Sequence, residues 1–203
     1  LGPGGESAWL TWFYALCARS FSRLLSRLSQ PDAAWYENAA RLASQAAEDA
    51  WDEDRFLRGY YGDGAPLGAK SCREGRMDSL CQSFAAFWPE ADPQRVNTAL
   101  DTALAELYDP KARILRLCTP PYTDRQRSPG YITSYGPGFR ENGGQYTHAS
   151  LFLASALFRR GRADDGLAAL RAASPLGREI ALFGAEPFSI PADLYTNPSC
   201  CGR

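Results

Sequence analysis

The chain has 203 residues, 45% of them hydrophobic, 22% charged and 12% aromatic, which suits one fair-sized globular domain and excludes a disordered segment. Its formal net charge of -1, without a basic tail, gives no footing for nucleic-acid binding by phosphate neutralisation. No apolar run reaches the length of a membrane helix, and the first residues lack the pattern of a signal peptide, so no direct membrane contact is expected.

In chain order, Leu1-Gly2-Pro3-Gly4-Gly5 opens without an initiator methionine. Cys200-Cys201-Gly202-Arg203 closes without a helix or polar tail, so residues 1–203 are expected to be a single partial domain of a longer protein. Glu6 to Leu28 has Trp9, Trp12, Phe13, Leu16, Phe21, Leu24 and Leu28 at helical spacing, which predicts a buried aromatic face. Gln30-Pro31-Asp32 breaks that run. The alanine-rich stretch Ala33 to Ala50 predicts a second helix, with Trp35, Ala39, Leu42, Ala43, Ala46 and Ala50 on its packing face.

Trp51 to Lys70 mixes aromatic and charged residues too closely for a helix and reads as an extended excursion with a turn at Gly62-Asp63-Gly64. Its acidic residues are expected to be solvated or paired with arginine rather than catalytic. A helix near Asp78 carries Leu80, Cys81, Phe84, Phe87 and Trp88, and Asp92-Pro93 signals the start of another. Ile114 to Leu117 is a short apolar run, and Thr119-Pro120-Pro121-Tyr122 leads into a long loop. Helices at Ala149 to Phe158 and Asp164 to Ala172 follow, then an apolar, loop-like tail from Ile180 to Tyr195.

The six cysteines are scattered, none in a Cys-x-x-Cys knuckle, and one histidine cannot complete a common zinc set, so free thiols and no metal are expected. That points to a cytoplasmic setting. The connecting loops exceed the roughly two to eight residues usual between helices, which favours a functional role for them.

The segment from Gly130 to Ser150 concentrates glycines, the Arg140-Glu141 pair and the sole histidine, His148, ahead of an apolar helix. Its glycines suggest close backbone approach to a ligand, and the helix start suggests a place for an anion. Within it, Tyr135-Gly136-Pro137-Gly138-Phe139-Arg140-Glu141-Asn142-Gly143-Gly144-Gln145-Tyr146-Thr147-His148-Ala149 resembles the signature of glycoside hydrolase family 94, the inverting β-glucan and disaccharide phosphorylases. The resemblance extends over nearly the whole chain. Gly5-Glu6-Ser7-Ala8-Trp9, Trp51-Asp52, Arg58, Tyr60, Pro66-Leu67-Gly68, Arg76-Met77-Asp78-Ser79, Gln82-Ser83 and Glu186-Pro187-Phe188 keep the family order. Ala192-Asp193-Leu194-Tyr195 is similar to its β-1,2-glucan branch. Departures are Glu53-Asp54 where glycine is usual and Phe84 where tryptophan is usual.

The resemblance implies an all-α fold, the C-terminal half of an (α/α)6 barrel made of helix pairs joined by long loops. It implies phosphorolysis of β-linked glucosides, with β-1,2-glucans as the expected substrates, to α-glucose 1-phosphate, with inorganic phosphate as co-substrate and no cofactor. Residue by residue, His148 matches the phosphate-binding histidine, Tyr135 and Arg140 match acceptor-sugar positions, and Glu141 and Gln145 belong to the same motif. The general-acid aspartate is expected upstream of Leu1, so no catalytic residue is assigned in the chain and the isolated piece is expected to be inactive. The alternative is a non-catalytic glucan-binding, chain-length-setting domain of a cyclic β-1,2-glucan synthase, the cytosolic part of a membrane-bound protein. A helical-repeat interaction domain explains the polar glycine-rich loops less well. A half-barrel would expose helix faces, so a homodimer is a further expectation.

Overall fold

A computed structural model describes residues 2–124, 127–176 and 190–197. Six α-helices among them form the body: α1 (Ala8–Arg27), α2 (Ala33–Glu48), α3 (Ser79–Phe87), α4 (Pro93–Leu107), α5 (Thr147–Arg159) and α6 (Ala163–Ala173). Ten two-residue strands lie in the connections: β1 (Trp51–Asp52), β2 (Arg55–Phe56), β3 (Gly59–Tyr60), β4 (Pro66–Leu67), β5 (Met77–Asp78), β6 (Tyr108–Asp109), β7 (Ile114–Leu115), β8 (Cys118–Thr119), β9 (Gln145–Tyr146) and β10 (Asp193–Leu194). Three antiparallel pairs, β1–β2, β3–β4 and β6–β7, are local hairpins. The other two, β5–β8 and β9–β10, join segments far apart in sequence. The chain is helical as expected, with its long loops pinned by these small ladders.

Helix α1 packs along α2, and the faces that periodicity picked out are buried only in part. The buried residues are Trp12, Ala15, Ala18 and Ser22 on α1 and Ala40, Ser44 and Ala47 on α2. Phe13, Phe21, Leu24, Leu28, Trp35 and Leu42 are exposed instead. Small side chains line much of the seam, and one large pair, Phe21 of α1 and Tyr36 of α2, packs edge to face across it with ring centroids 4.7 Å apart. The Ser22 hydroxyl donates to Ala33 O at 2.7 Å across that seam.

The centre of the core is α3, in contact with α1, α4 and α5. It is buried on nearly all sides, through Ser79, Cys81, Gln82, Ser83, Phe84, Ala85 and Ala86, which is why it shows no polar face. Phe84 lies within 5.2–5.7 Å, ring to ring, of Trp9, Phe13, Phe87 and Phe152, and so ties α1 and α5 to α3. Helix α4 begins at the sequence-predicted cap, with Asp92 accepting from the amides of Gln94 and Arg95.

The charged excursion is paired, as its composition suggested. Arg55, almost fully buried, donates to Asp54 at 2.7 Å, Glu106 at 2.8 Å and Arg76 O at 3.0 Å. Glu53 meets Lys70 at 2.8 Å on the surface. The described cysteines Cys17, Cys72, Cys81 and Cys118 are free thiols. The Glu186-Pro187-Phe188 motif, residues 180–189 of the apolar tail and the Cys200-Cys201 pair lie outside the described residues.

Two stability predictions follow from local geometry. Gln82 accepts from Phe56 N and donates to Phe56 O, both at 2.9 Å, and to Asp78 O at 3.0 Å. Gln82→Ala therefore orphans buried backbone groups and is expected to cost about 2–4 kcal/mol in denaturant unfolding. Glu53 turns the β1–β2 hairpin at φ 55, a left-handed conformation that suits glycine. Glu53→Gly should raise the melting temperature, since relief of about 1 kcal/mol of strain outweighs an exposed ion pair. A lower melting temperature would contradict that balance.

Candidate functional site

The site is assembled where α3 begins. Asp78 sits in extended conformation at the helix N-terminus, and its Oδ1 accepts from Leu80 N at 2.8 Å. Its Oδ2 lies 3.2 Å from Arg58 Nε, and Arg58 also donates to Ser7 Oγ at 3.1 Å. The guanidinium stands 5.1 Å from the centroid of the Trp9 ring. Burial pushes the Asp78 carboxyl above the ordinary carboxylate range, with Arg58 and the amides of Leu80 and Cys81 pulling the other way.

The backbone of the same residues draws in the later loops. Asp78 pairs with Cys118 across β5–β8, Ser79 N donates to Leu117 O at 2.9 Å, and Leu117 N donates to Gly144 O at 2.9 Å. The glycine-rich turn is thereby held against the start of α3. Buried Asn142 fastens its other side, accepting from Tyr122 N at 2.7 Å and donating to Tyr122 O at 2.9 Å and Tyr135 O at 2.8 Å. Here the structure corrects the reading of the glycines as openings for a ligand. A Cβ on Gly138 would come within 2.5 Å of Asn197 N, and one on Gly143 within 2.7 Å of the Pro121 ring. Both are at positive φ, so these two glycines serve close packing of protein on protein.

Helix α5 starts at Thr147 rather than Ala149, which puts His148 in its first turn. The imidazole is exposed and held edge-on between Tyr146, at 4.5 Å, and Phe152, at 5.6 Å. A cleft of about 440 Å³ opens there, bordered by Ser7, Trp9, Arg58, Asp78, Tyr131, Glu141, Tyr146 and His148. Of the residues singled out from sequence, His148 and Glu141 line it together. Tyr135 and Arg140 stand one contact away: the Tyr135 ring meets Tyr131 at 6.2 Å, and Arg140 Nε is 4.0 Å from Glu141 Oε2. Arg140 also lies over Tyr135, 5.3 Å from its centroid.

Gln145 is elsewhere. It is fully buried, with Oε1 accepting from Leu115 N at 2.8 Å and Nε2 donating to Ala172 O at 3.2 Å, and it braces β7 against α6 behind the cleft. Conversely, Trp9, Arg58, Asp78, Tyr131 and Tyr146 border the cleft without having been assigned a role from sequence. Trp9, Arg58 and Asp78 each stand in a family-like motif, and that was the available signal.

A second cleft, about 580 Å³, shares Leu67 and Tyr122 with the first and is bordered by Tyr61, Arg73, Glu74 and Arg127. Although larger, it carries none of the sequence-predicted site residues, and Glu74 there is occupied in holding Thr123 and Asp124 by their amides at 2.9 and 3.1 Å. The first cleft is therefore the candidate site. Among the described residues no cluster of three His, Cys, Asp or Glu side chains could hold a metal ion, and no helix is long and apolar enough to cross a membrane.

Comparison with known proteins shows the family of the chain. The family model of the glycosyl hydrolase 94 superfamily, catalytic domain, matches residues 1–202. The cyclic beta-(1,2)-glucan synthase NdvB of Rhizobium meliloti is 39% identical over 212 residues, covering 100% of this chain and 8% of that protein. Cellobionic acid phosphorylase of Neurospora crassa is 28% identical over 163 residues, covering 79% of this chain and 20% of that protein. The 3-O-beta-D-glucopyranosyl-beta-D-glucuronide phosphorylase of Paenibacillus borealis is 31% identical over 170 residues, 81% of this chain and 22% of that protein. The chain thus spans between 8% and 22% of the length of these three relatives.

The buried Asp78 yields a pH prediction. Unfolded, it titrates at the ordinary value of 3.8; folded, it titrates higher. Between those values the native state holds the extra proton, so raising the pH through that window lowers stability. The unfolding free energy of the wild type, measured relative to Asp78→Asn, should fall as pH rises above about 4 and level off once the carboxyl is ionised. A difference that rises with pH would mean that the ion pair with Arg58 dominates burial.

Proposed function

The chain belongs to the glycosyl hydrolase 94 superfamily, and from that membership we propose that it forms part of a catalytic domain for inverting phosphorolysis of β-linked glucans, with β-1,2-glucan as substrate. The observation that carries the reading is the convergence of His148, Glu141, Arg58 and Trp9 on one cleft, from three separate segments of the chain. Exposed imidazole and a nearby guanidinium favour an anion at one end. Aromatic and carboxylate groups favour a sugar at the other.

In the proposed reaction an oxygen of inorganic phosphate attacks the anomeric carbon from the face opposite the glycosidic bond. That bond breaks, and the leaving oxygen takes its proton from an aspartic general acid. The products are α-glucose 1-phosphate and a glucan shortened by one unit. Phosphate replaces the base-activated water of an inverting hydrolase, so one carboxyl group suffices. His148 holds the phosphate in line, and Glu141, Arg140 and Tyr135 hold the acceptor sugar. Phosphate is the only co-substrate in this reading, and no cofactor is needed.

Asp78 is the one buried acid bordering the cleft, yet it is a poor general acid. Its two oxygens are committed to Leu80 N and Arg58. The general acid is instead assigned to the segment upstream of Leu1. The exposed large residues of α1 and α2 support an (α/α)6 barrel in which other helices of the longer protein cover them, and the same face would serve a homodimer of the isolated chain. A cytoplasmic location is proposed with this reading.

The test is phosphate-dependent release of glucose 1-phosphate from β-1,2-gluco-oligosaccharides by the full-length protein, with and without His148→Ala. Loss of a charge-assisted contact to the anion should raise the KM for phosphate about 10- to 100-fold, with partial recovery at high phosphate. No turnover by the intact protein, with oligosaccharide binding retained, would favour the glucan-binding alternative, to which the match with the glucan synthase also points.

A further inference from the structure

One further carboxylate, that of Asp193, belongs to the ladder that carries Tyr146 to the cleft, although Asp193 is not itself among the residues that border it. Asp193 lies in β10 directly opposite Tyr146 of β9. Residues paired in this way project from the same face of a ladder, with Cβ atoms roughly 5 Å apart. Tyr146 borders the cleft and touches His148, so the ladder aims Asp193 to the same side. The register is well determined, because Thr147 N donates to Ala192 O at 2.9 Å and the Thr147 hydroxyl donates to Pro191 O at 2.6 Å.

Two oxygen atoms there are buried and have no hydrogen-bond partner among the described residues: Asp193 Oδ2 and Glu141 Oε2. Arg140 is the nearby cation, but its Nε is 4.0 Å from Glu141 Oε2, too far for a hydrogen bond, and its side chain is about half exposed. Burial raises the Asp193 carboxyl above the ordinary range, Arg140 lowers it and Glu141 raises it, so the three groups share one electrostatic neighbourhood. Buried acceptors left open in a native protein call for a donor. Two carboxylates against one guanidinium repel an anion, so phosphate is excluded from this end. A neutral donor fits, and sugar hydroxyls are neutral donors.

We propose that Asp193 is a specificity-determining residue of the cleft, which together with Glu141 accepts hydrogen bonds from hydroxyl groups of the bound β-glucan on the acceptor side. The proposal rests on the phosphorolytic reading for its substrate class. It divides the cleft into an anion end at His148 and a hydroxyl end at Asp193 and Glu141. No bond is made or broken by Asp193.

The test uses the full-length protein in the synthetic direction, with Asp193→Asn, which keeps the size of the side chain and removes its charge. The KM for the acceptor oligosaccharide should rise at least tenfold, with the KM for glucose 1-phosphate changed less than twofold. A second readout separates contact from support. Among acceptors each lacking one hydroxyl group, one should bind weakly to the wild type and lose nothing further in the variant. An acceptor KM within twofold of the wild type overturns the proposal, as does an equal rise for both substrates with a lowered melting temperature, which marks a merely structural role for Asp193. If the wild type turns over no β-glucan, the phosphorolytic reading fails by itself. Titration calorimetry with β-1,2-gluco-oligosaccharide then decides this proposal: a tenfold weaker Kd in the variant supports it, and equal values overturn it.

Discussion

The junction on which the structure depends is the carboxylate of Asp78. It caps α3, balances the Arg58 guanidinium and belongs to a residue whose backbone pairs with Cys118. Removing any one partner would leave a buried charge or an open amide, which is expensive in a low-dielectric interior. Because α3 is enclosed by α1, α4 and α5, this junction is rigid. Through Leu117 and Gly144 it passes that rigidity to the turn before α5. The cleft therefore stands on the most deeply buried helix of the chain, although its edges are loops.

The loops achieve order without long strands. Asn142, Gln145 and Gln82 each use a side-chain amide to mimic a missing ladder partner, joining Tyr122 to Tyr135, Leu115 to Ala172 and Phe56 to Asp78. An amide is suited to this because it donates and accepts at once and carries no charge to desolvate. Two-residue pairings such as β9–β10 then need only set the register. That economy leaves carboxylates, an imidazole and aromatic rings of the same segments facing the cleft.

Much of this was legible in the sequence. Helix positions followed from apolar spacing and from punctuation such as Gln30-Pro31-Asp32 and Asp92-Pro93, because those signals act within one turn of backbone. Pairing of acids in the charged excursion with arginine followed from the arginines beside them, whereas the contact of Glu53 with Lys70 did not. The faces of α1 and α2 followed only in part. Periodicity ranks residues by hydrophobicity, whereas α1 and α2 meet through Ala15, Ala18, Ala40 and Ser44, where small size decides how close the backbones come. Gln145 was misplaced for a related reason: position within a motif does not say whether a side chain points to the cleft or behind it.

The helical class, the family and the segment that holds His148 and Glu141 are legible in the chain alone, since all three are written in local order and residue type. That Arg58, Asp78, Trp9 and Asp193 join that segment is set by tertiary packing. Their neighbourhood is created by β5–β8, β9–β10 and the enclosure of α3, contacts between residues dozens of positions apart. Such contacts depend on how whole elements pack, and no window of sequence contains them.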